Sequence, residues 1–372
     1  MSNAIRTLSE RGQSIWCDNL SRHMLHSGEL QRLIDLGVVG VTSNPTILMK
    51  AVTGGADYDD SFDKLLAEGR DIAGIYEGLV LPDVADAADI LKTVYDRTDG
   101  IDGYVSLEVN PHLAADTEGT IAEARRLFAA LDRPNVLIKV PATDEGIPAI
   151  RTLIGEGINV NVTLIFSRAM HEEVMRAYLD GLSRLKASGG RLSSVASVAS
   201  FFVSRVDTLV DKRLVEKRAA GAEVEALLGR TALANAKLAY ARFEEVFHAS
   251  GEFAELAAGG ARVQRPLWAS TSTKNPAYSP TMYVDGVIGP QTVNTLPPAT
   301  IDAVLQSTIP EVTIRDDLDA ARSVFDQLAA IGIDIDAVTD ELRVAGVKAF
   351  ADSFDELFAD LSQKRDRLRA TG

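Results

Sequence analysis

Short apolar segments and longer amphipathic segments alternate along the chain. The short segments are mostly apolar and bounded by turn residues, a pattern typical of buried strands. Eight of them are predicted as strands, at Ser14–Asp18, Val38–Thr42, Tyr104–Val109, Val136–Val140, Asn159–Phe166, Ser194–Ser200, Pro266–Ser270 and Gln291–Leu296. In the longer segments apolar residues recur every three or four positions, which predicts helices, for example at Thr117–Leu131, Glu145–Gly155, Arg168–Lys186 and Gly221–Phe247. This alternation favours an α/β fold, a (β/α)8 TIM barrel, with a doubly wound open sheet as the alternative.

The chain is longer than a plain barrel requires. It has 372 residues, whereas a plain (β/α)8 barrel has about 250. We assign the surplus to a helical insert at 51–98, a loop insert at 273–289 and a helical C-terminal tail at 336–369. Because no Pro- or Ser-rich linker divides the chain, we predict one barrel domain with additional helices over residues 1–372.

Polar residues in the predicted strands share one parity. Side chains alternate between the two faces of a strand, and the outer face of a barrel must be apolar to pack on helices. The polar positions should therefore point into the barrel, towards the carboxyl ends where such barrels carry their active sites. The polar residues expected to converge there are Asp18, Glu108, Lys139, Asn161 and Thr163.

Lys139 is the most informative of these residues, because it stands within the apolar run VLIKVPA. Burial disfavours the charged form of an amine, and a neutral amine can attack a carbonyl to form a Schiff base. The simpler interpretation is a lysine whose stem is buried and whose ammonium pairs with a carboxylate. Asp18 and Glu108 are candidates both for that pairing and for the proton transfers that Schiff-base chemistry requires.

The composition narrows the range of partners. Asp and Glu number 53 against 38 Lys and Arg, which gives a net charge of -15. Such a surface disfavours binding to nucleic acid or to an anionic membrane. The single cysteine, Cys17, excludes an intrachain disulfide and a cysteine-based zinc cluster, and we expect no metal site. No signal peptide or membrane-spanning run is visible, so we expect a cytoplasmic protein.

Five motifs follow one another in the strand regions. They are VTSNPTIL around Asn44, YVSLEVNP around Glu108, LIKVPATDEGI around Lys139, GINVNVTLIFS at Gly157–Ser167 and SFFVSR at Ser200–Arg205. In this order they resemble the motifs of the transaldolase family, and the resemblance spans nearly the whole chain. It implies a barrel enzyme of the pentose phosphate pathway that moves a dihydroxyacetone unit between sugar phosphates. No cofactor is implied, since the protonated Schiff base is itself the electron sink.

The resemblance also implies a role for each residue of the expected site. Lys139 would be the Schiff-base nucleophile, and Asp18 would exchange the proton of the hydroxyl at the breaking carbon–carbon bond. Glu108 would act through a water molecule held with Thr163. The hydroxyls of the dihydroxyacetone unit would be held by Asn44, Asn161 and Ser200.

Phosphate recognition departs from the family pattern. Arg205 matches the family's phosphate-binding arginine, and Ser270 matches a serine at the end of the seventh strand. A second arginine follows that serine in many members, but Ser272 occupies its position here. We expect Lys274, the nearest cation, to replace it as a point charge without the bidentate geometry of arginine.

Two other functions stay open at this point. A related Schiff-base aldolase would release free dihydroxyacetone, and a non-catalytic protein would only bind sugar phosphates. The retained Lys139, Asp18 and Glu108 count against pure binding, which needs no buried nucleophile. Sugar phosphates are the expected partners, and the resemblance makes a homodimer possible.

Overall fold

Eight parallel strands form a closed barrel in the computed structural model, which describes residues 3–219 and 221–371, with side chains as far as residue 368. Residues 1, 2, 220 and 372 of the predicted 1–372 domain lie outside this description. The strands are β1 (Gln13–Asp18), β2 (Gly40–Thr42), β3 (Tyr104–Glu108), β4 (Val136–Pro141), β5 (Val160–Ile165), β6 (Ser197–Phe202), β7 (Arg265–Ala269) and β8 (Thr292–Leu296). Each pairs with its neighbours in sequence, and β8 pairs with β1, where Cys17 faces Leu296. The predicted barrel is confirmed, and the open sheet is excluded.

Helices surround the barrel. They are α1 (Ala4–Glu10), α2 (Arg22–His26), α3 (Glu29–Leu36), α4 (Pro45–Thr53), α5 (Asp59–Ala67), α6 (Ile72–Arg97), α7 (Thr117–Leu131), α8 (Gly146–Gly155), α9 (Arg168–Ala187), α10 (Ser204–Ala219), α11 (Thr231–Glu244), α12 (Ala254–Ala258), α13 (Met282–Asp285), α14 (Pro298–Leu305), α15 (Leu318–Ala330) and α16 (Ile335–Thr371). None of these helices, in the part of the chain described, is long and apolar enough to cross a membrane.

Local start and stop signals explain why some predicted boundaries agree with the structure. Helix α7 covers the predicted Thr117–Leu131. The side chain of Asp116 accepts a hydrogen bond from the backbone N–H of Gly119 and so caps the first turn. At the other end Asp132 has a φ of 45°, a left-handed conformation that stops the helix.

The predicted helix at Gly221–Phe247 is wrong in its first part. Residues 221–230 form turns, and α11 begins only at Thr231. Gly221 and Gly229 have φ values of 95° and 67°, and this left-handed conformation interrupts helical geometry. The predicted loop at 273–289 is mostly irregular, but it contains the short helix α13.

The C-terminal helix α16 runs across the carboxyl end of the barrel. The insert helices α5 and α6 hold its distal part through a separate apolar cluster. The buried side chains of this cluster include Phe62, Leu79, Leu357 and Leu361. Nearer the barrel, Ser353 hydrogen-bonds Thr46 of α4 at 2.8 Å between their hydroxyl oxygens. The insert and the tail, which lie far apart in sequence, therefore pack together as one structure above the strands.

Candidate active site

A cavity of about 340 Å³ opens at the carboxyl ends of the strands. Every side chain that we expected in the site, except Glu108, lines it: Asp18, Asn44, Lys139, Asn161, Thr163, Ser200, Arg205, Ser270 and Lys274. The strands that carry them end at the same edge of the barrel, which is why residues up to 256 positions apart in the sequence meet here. The inward parity of the polar positions is thus realised in the structure.

Lys139 lies near the end of β4, between Glu108 of β3 and Asn161 of β5 in the strand register. Its side chain is buried, and the ammonium Nζ donates a hydrogen bond to the backbone carbonyl of Ser43 at 2.9 Å. The Nζ atom also lies 3.4 Å from Glu108 Oε2 and 5.8 Å from the centre of the Phe350 ring. The amine is therefore held at the cavity wall by few polar partners.

Glu108 lies next to Lys139 but outside the main cavity. It lines a neighbouring cavity of about 120 Å³ with Tyr76, Glu77 and Asn110. Its Oε2 atom is buried and has no hydrogen-bond partner among the described residues, although Lys139 stands at ion-pair distance. Burial raises the pKa of Glu108 above its usual value, and the charge of Lys139 acts in the opposite direction. A carboxyl with a raised pKa next to an amine can exchange protons with it.

Asp18 occupies the opposite side of the cavity at the end of β1. Its Oδ1 atom accepts a hydrogen bond of 2.7 Å from the hydroxyl of Thr42. Burial raises the pKa of Asp18, while the hydrogen bond from Thr42 and the charges of Lys139 and Arg205 lower it. The two carboxylates thus differ in their nearest polar partner, which is the hydroxyl of Thr42 for Asp18 and the ammonium of Lys139 for Glu108.

A chain of hydrogen bonds fixes the amide of Asn161. The hydroxyl of Ser200 donates to Asn161 Oδ1 at 2.7 Å, and the Nδ2 group donates to Ser106 Oγ at 3.0 Å. Asn44 is fixed differently, because its Oδ1 atom caps α4 by accepting the N–H of Ile47 at 3.0 Å. The Nδ2 group of Asn44 is then the end of that amide that can donate to a ligand.

The strand β5 is irregular where it meets the cavity. Its pairing with β6 shifts between Val162 and Ile165, and Leu164 has a φ of 61°. Such bulges re-aim the side chains beside them. Thr163, which precedes Leu164, has a buried hydroxyl with no hydrogen-bond partner among the described residues. This hydroxyl is available to a ligand or a water molecule.

Two predicted cations stand on one side of the cavity mouth. Arg205, in the first turn of α10, lies over the ring of Phe202 at 5.2 Å and forms no ion pair with a carboxylate of the described chain. Lys274 is exposed, and its ammonium donates to Ser272 Oγ at 2.8 Å. Ser270 lies beside them, and its carbonyl accepts the N–H of Ser204 at 2.9 Å. A half-buried guanidinium and an exposed ammonium, neither paired with a carboxylate of the described residues, form a site for an anion.

The comparisons with known proteins agree with this geometry. The family model described as transaldolase/fructose-6-phosphate aldolase matches residues 15–361. The chain belongs to this family. It is similar to the transaldolase of Thermobifida fusca, 49% identical over 366 residues, which are 98% of this chain and 99% of that protein. It is also similar to the transaldolase of Acidothermus cellulolyticus, 50% identical over 371 residues, 99% of each chain. The transaldolase of Mycobacterium tuberculosis is 48% identical over 358 residues, 96% of this chain and 95% of its own.

These findings confirm the resemblance to the transaldolase family and the enzyme class that it implies. The matched residues include all of β2 to β8 and therefore all five motifs. The roles of the individual site residues rest on the geometry and are taken up in the next subsection.

Two cavity residues of this transaldolase family member were missed by the sequence analysis. Lys50 of α4 lines the mouth as a third cation, and Phe350 of α16 lies over Lys139. Lys50 follows Asn44 by six positions, so its place on α4 could have indicated it. Phe350 had no such signal, because only the packing of α16 across the barrel brings it to the site.

The two aromatic residues after Ser200 have different surroundings. Phe202 lines the cavity and packs against Phe166 with 5.0 Å between ring centres. Phe201 points away from it, towards His171 and Trp268. Of the two, Phe202 is the one that can exclude water from a bound ligand.

Proposed function

We propose that the protein converts sedoheptulose 7-phosphate and glyceraldehyde 3-phosphate into erythrose 4-phosphate and fructose 6-phosphate by transfer of dihydroxyacetone. The observation that carries this proposal is a buried lysine amine 3.4 Å from Glu108, in a cavity that also holds Asp18. Membership of the transaldolase/fructose-6-phosphate aldolase family supports it.

In the first stage, the ammonium of Lys139 gives a proton to Glu108, and the resulting amine attacks the C2 carbonyl carbon of the ketose phosphate. The carbonyl oxygen takes up a proton, the nitrogen loses one, and a carbinolamine forms. Loss of that oxygen as water leaves the protonated Schiff base. Glu108 stands beside the amine with a raised pKa and supplies and accepts these protons, through a water molecule that the free hydroxyl of Thr163 can hold.

In the second stage, Asp18 accepts the proton of the C4 hydroxyl. The C3–C4 bond breaks, the aldose phosphate leaves as an aldehyde, and the electron pair moves into the Schiff base to give an enamine. The acceptor aldehyde then enters, and the steps run in reverse with Asp18 returning the proton. Until the acceptor binds, the hydroxyls of the three-carbon unit are held by Asn44, Asn161 and Ser200, because the polar groups of these residues line the same cavity.

The phosphate end of each substrate is assigned to the cations at the mouth. Arg205 provides a guanidinium without a carboxylate partner within the described residues, and Lys274 and Ser270 lie on the adjoining loop. The surface as a whole has a net charge of -15, so an anionic substrate depends on this local positive site. We further propose a cytoplasmic protein that binds neither nucleic acid nor membranes, and that can form a homodimer.

Trapping of the intermediate tests the proposal. The protein is treated with borohydride in the presence of fructose 6-phosphate, and the modified residue is located by mass spectrometry. We expect a reduced three-carbon adduct on Lys139 and none in the Lys139→Ala variant. An unlabelled protein, or a label on a different lysine, contradicts the mechanism. Product formation that requires an acceptor aldehyde distinguishes transfer from release of free dihydroxyacetone, the reaction of a simple aldolase.

A further inference from the structure

Two carboxylates on one face of α10 hold the loop that carries Lys274. Asp207 and Asp211 are four positions apart, so they project from the same side of the helix. The hydroxyl of Tyr278 donates to Asp211 Oδ2 at 2.6 Å, and the hydroxyl of Tyr283 donates to Asp207 Oδ2 at 2.9 Å. Both tyrosines belong to the loop at 273–289.

Each carboxylate also binds a backbone N–H at the start of α11 or in the turn before it. The N–H of Gly229 donates to Asp211 Oδ1 at 2.9 Å, and the N–H of Ala232 donates to Asp207 Oδ1 at 2.7 Å. Gly229 packs so closely that an added Cβ atom would lie 2.7 Å from the ring of Tyr278. The two aspartates thus repeat one arrangement, with a tyrosine on one oxygen and a backbone N–H on the other.

The hydrogen bonds of Asp207 and Asp211 link the two elements that carry the cations of the cavity mouth. Arg205 belongs to the first turn of α10, the helix that also carries Asp207 and Asp211. Lys274 lies inside a turn closed by a hydrogen bond from Thr273 Oγ1 to the carbonyl of Ser279, and within that turn the N–H of Tyr278 donates to the carbonyl of Asn275. A shift of Tyr278 therefore moves Lys274 relative to Arg205.

We propose that Tyr278 and Tyr283 are positioning residues for phosphate recognition, which set the separation between Lys274 and Arg205 through Asp211 and Asp207. The proposal rests on the phosphate site assigned under the proposed function. It assigns to the loop at 273–289 the function of fixing the position of Lys274. A lysine lacks the planar fork of arginine and sits on a flexible stem, so a fixed loop compensates by holding its charge in place.

The test compares acceptors that differ only in the phosphate. In a double-displacement reaction, kcat/KM for the acceptor does not depend on the donor, so glyceraldehyde 3-phosphate and glyceraldehyde can be compared with one donor. For Tyr278→Phe we expect kcat/KM with glyceraldehyde 3-phosphate to fall about tenfold, the cost of one lost hydrogen bond, while the value with glyceraldehyde is unchanged. Gly229→Ala should act in the same direction, because its methyl group displaces the tyrosine ring.

Tyr178→Phe is the matched control. The hydroxyl of Tyr178 also donates a single hydrogen bond, to the carbonyl of Arg262, but it lies away from the cavity. The control should leave the preference for the phosphorylated acceptor unchanged. An equal loss with both acceptors in Tyr278→Phe, or no loss with either, overturns the proposal. Absence of any transfer by the unmodified protein contradicts the proposed function instead, so the two failures are distinguishable.

Discussion

Lys139 Nζ and Glu108 Oε2 lie 3.4 Å apart, and each residue has less than a tenth of its surface exposed. We expect Glu108→Gln to lower kcat about a hundredfold, since one positioned proton donor typically contributes a factor of this order or more. Borohydride trapping should become slower by a similar factor, because Schiff-base formation is the step affected. Glu77→Gln, in the same neighbouring cavity, is the control and should retain activity. Equal rates for the two variants would remove Glu108 from the mechanism.

Asp18 acts after the Schiff base has formed. In Asp18→Asn we therefore expect the adduct on Lys139 to be trapped in nearly normal amount, while transfer falls about a hundredfold or more. The Asn side chain keeps the hydrogen bond from Thr42, so the cavity should retain its shape. Loss of trapping together with transfer would place Asp18 in the earlier stage.

Lys274 supplies charge but no proton. We expect Lys274→Ala to raise KM for phosphorylated sugars more than it lowers kcat, because the interaction is made equally in the ground and transition states. Lys212→Ala removes the same charge from an exposed position on α10 and should leave KM unchanged. An unchanged KM in Lys274→Ala would exclude this lysine from the phosphate site.

Phe350 lies over the amine of Lys139. We expect Phe350→Ala to admit water to the intermediate, so that free dihydroxyacetone appears without an acceptor and the ratio of release to transfer increases. Val344→Ala changes an exposed residue of the same helix and serves as the control. If the ratio is the same in both variants, Phe350 does not protect the Schiff base.

Burial raises the pKa of Asp207 to about 7. Between the usual pKa of an aspartate and this value, the folded protein holds a proton that the unfolded chain has released. The free energy of unfolding should therefore decrease as the pH rises from about 4 to 7, with a contribution of about 1.4 kcal/mol per pH unit. Asp207→Asn removes this contribution. Denaturant unfolding at several pH values should show a flatter dependence for the variant, and parallel curves would contradict the assignment.

Much of the barrel could be predicted because its determinants are local. Alternation along β3 places Glu108 inward, and alternation along β4 places Lys139 inward, before any partner strand is known. The carboxyl ends of neighbouring parallel strands then bring such residues together. The same local signals place the start of α7, where Asp116 caps the helix.

The remaining features depend on contacts between distant parts of the chain. Phe350 reaches Lys139 because α16 packs across the barrel against α4, α6 and α10, which lie far from it in sequence. Glu108 lines a separate cavity beside the one that Lys139 lines. Alternation along a strand cannot predict which of two neighbouring cavities an inward side chain lines. The helix predicted at Gly221–Phe247 fails over residues 221–230, where alanine and leucine favour a helix but Gly221 and Gly229 have left-handed conformations.

The position of α16 in the chain has a consequence for biosynthesis. Residues Gln13–Leu296 contain every strand, so the barrel can close before the helix that crosses its mouth has been translated. At ribosomal speeds of about 5–20 residues per second, Phe350 follows the last strand by some seconds. Until α16 docks, a closed barrel lacks the ring of Phe350 over the amine of Lys139. Docking of this helix is then the step that completes the cavity wall.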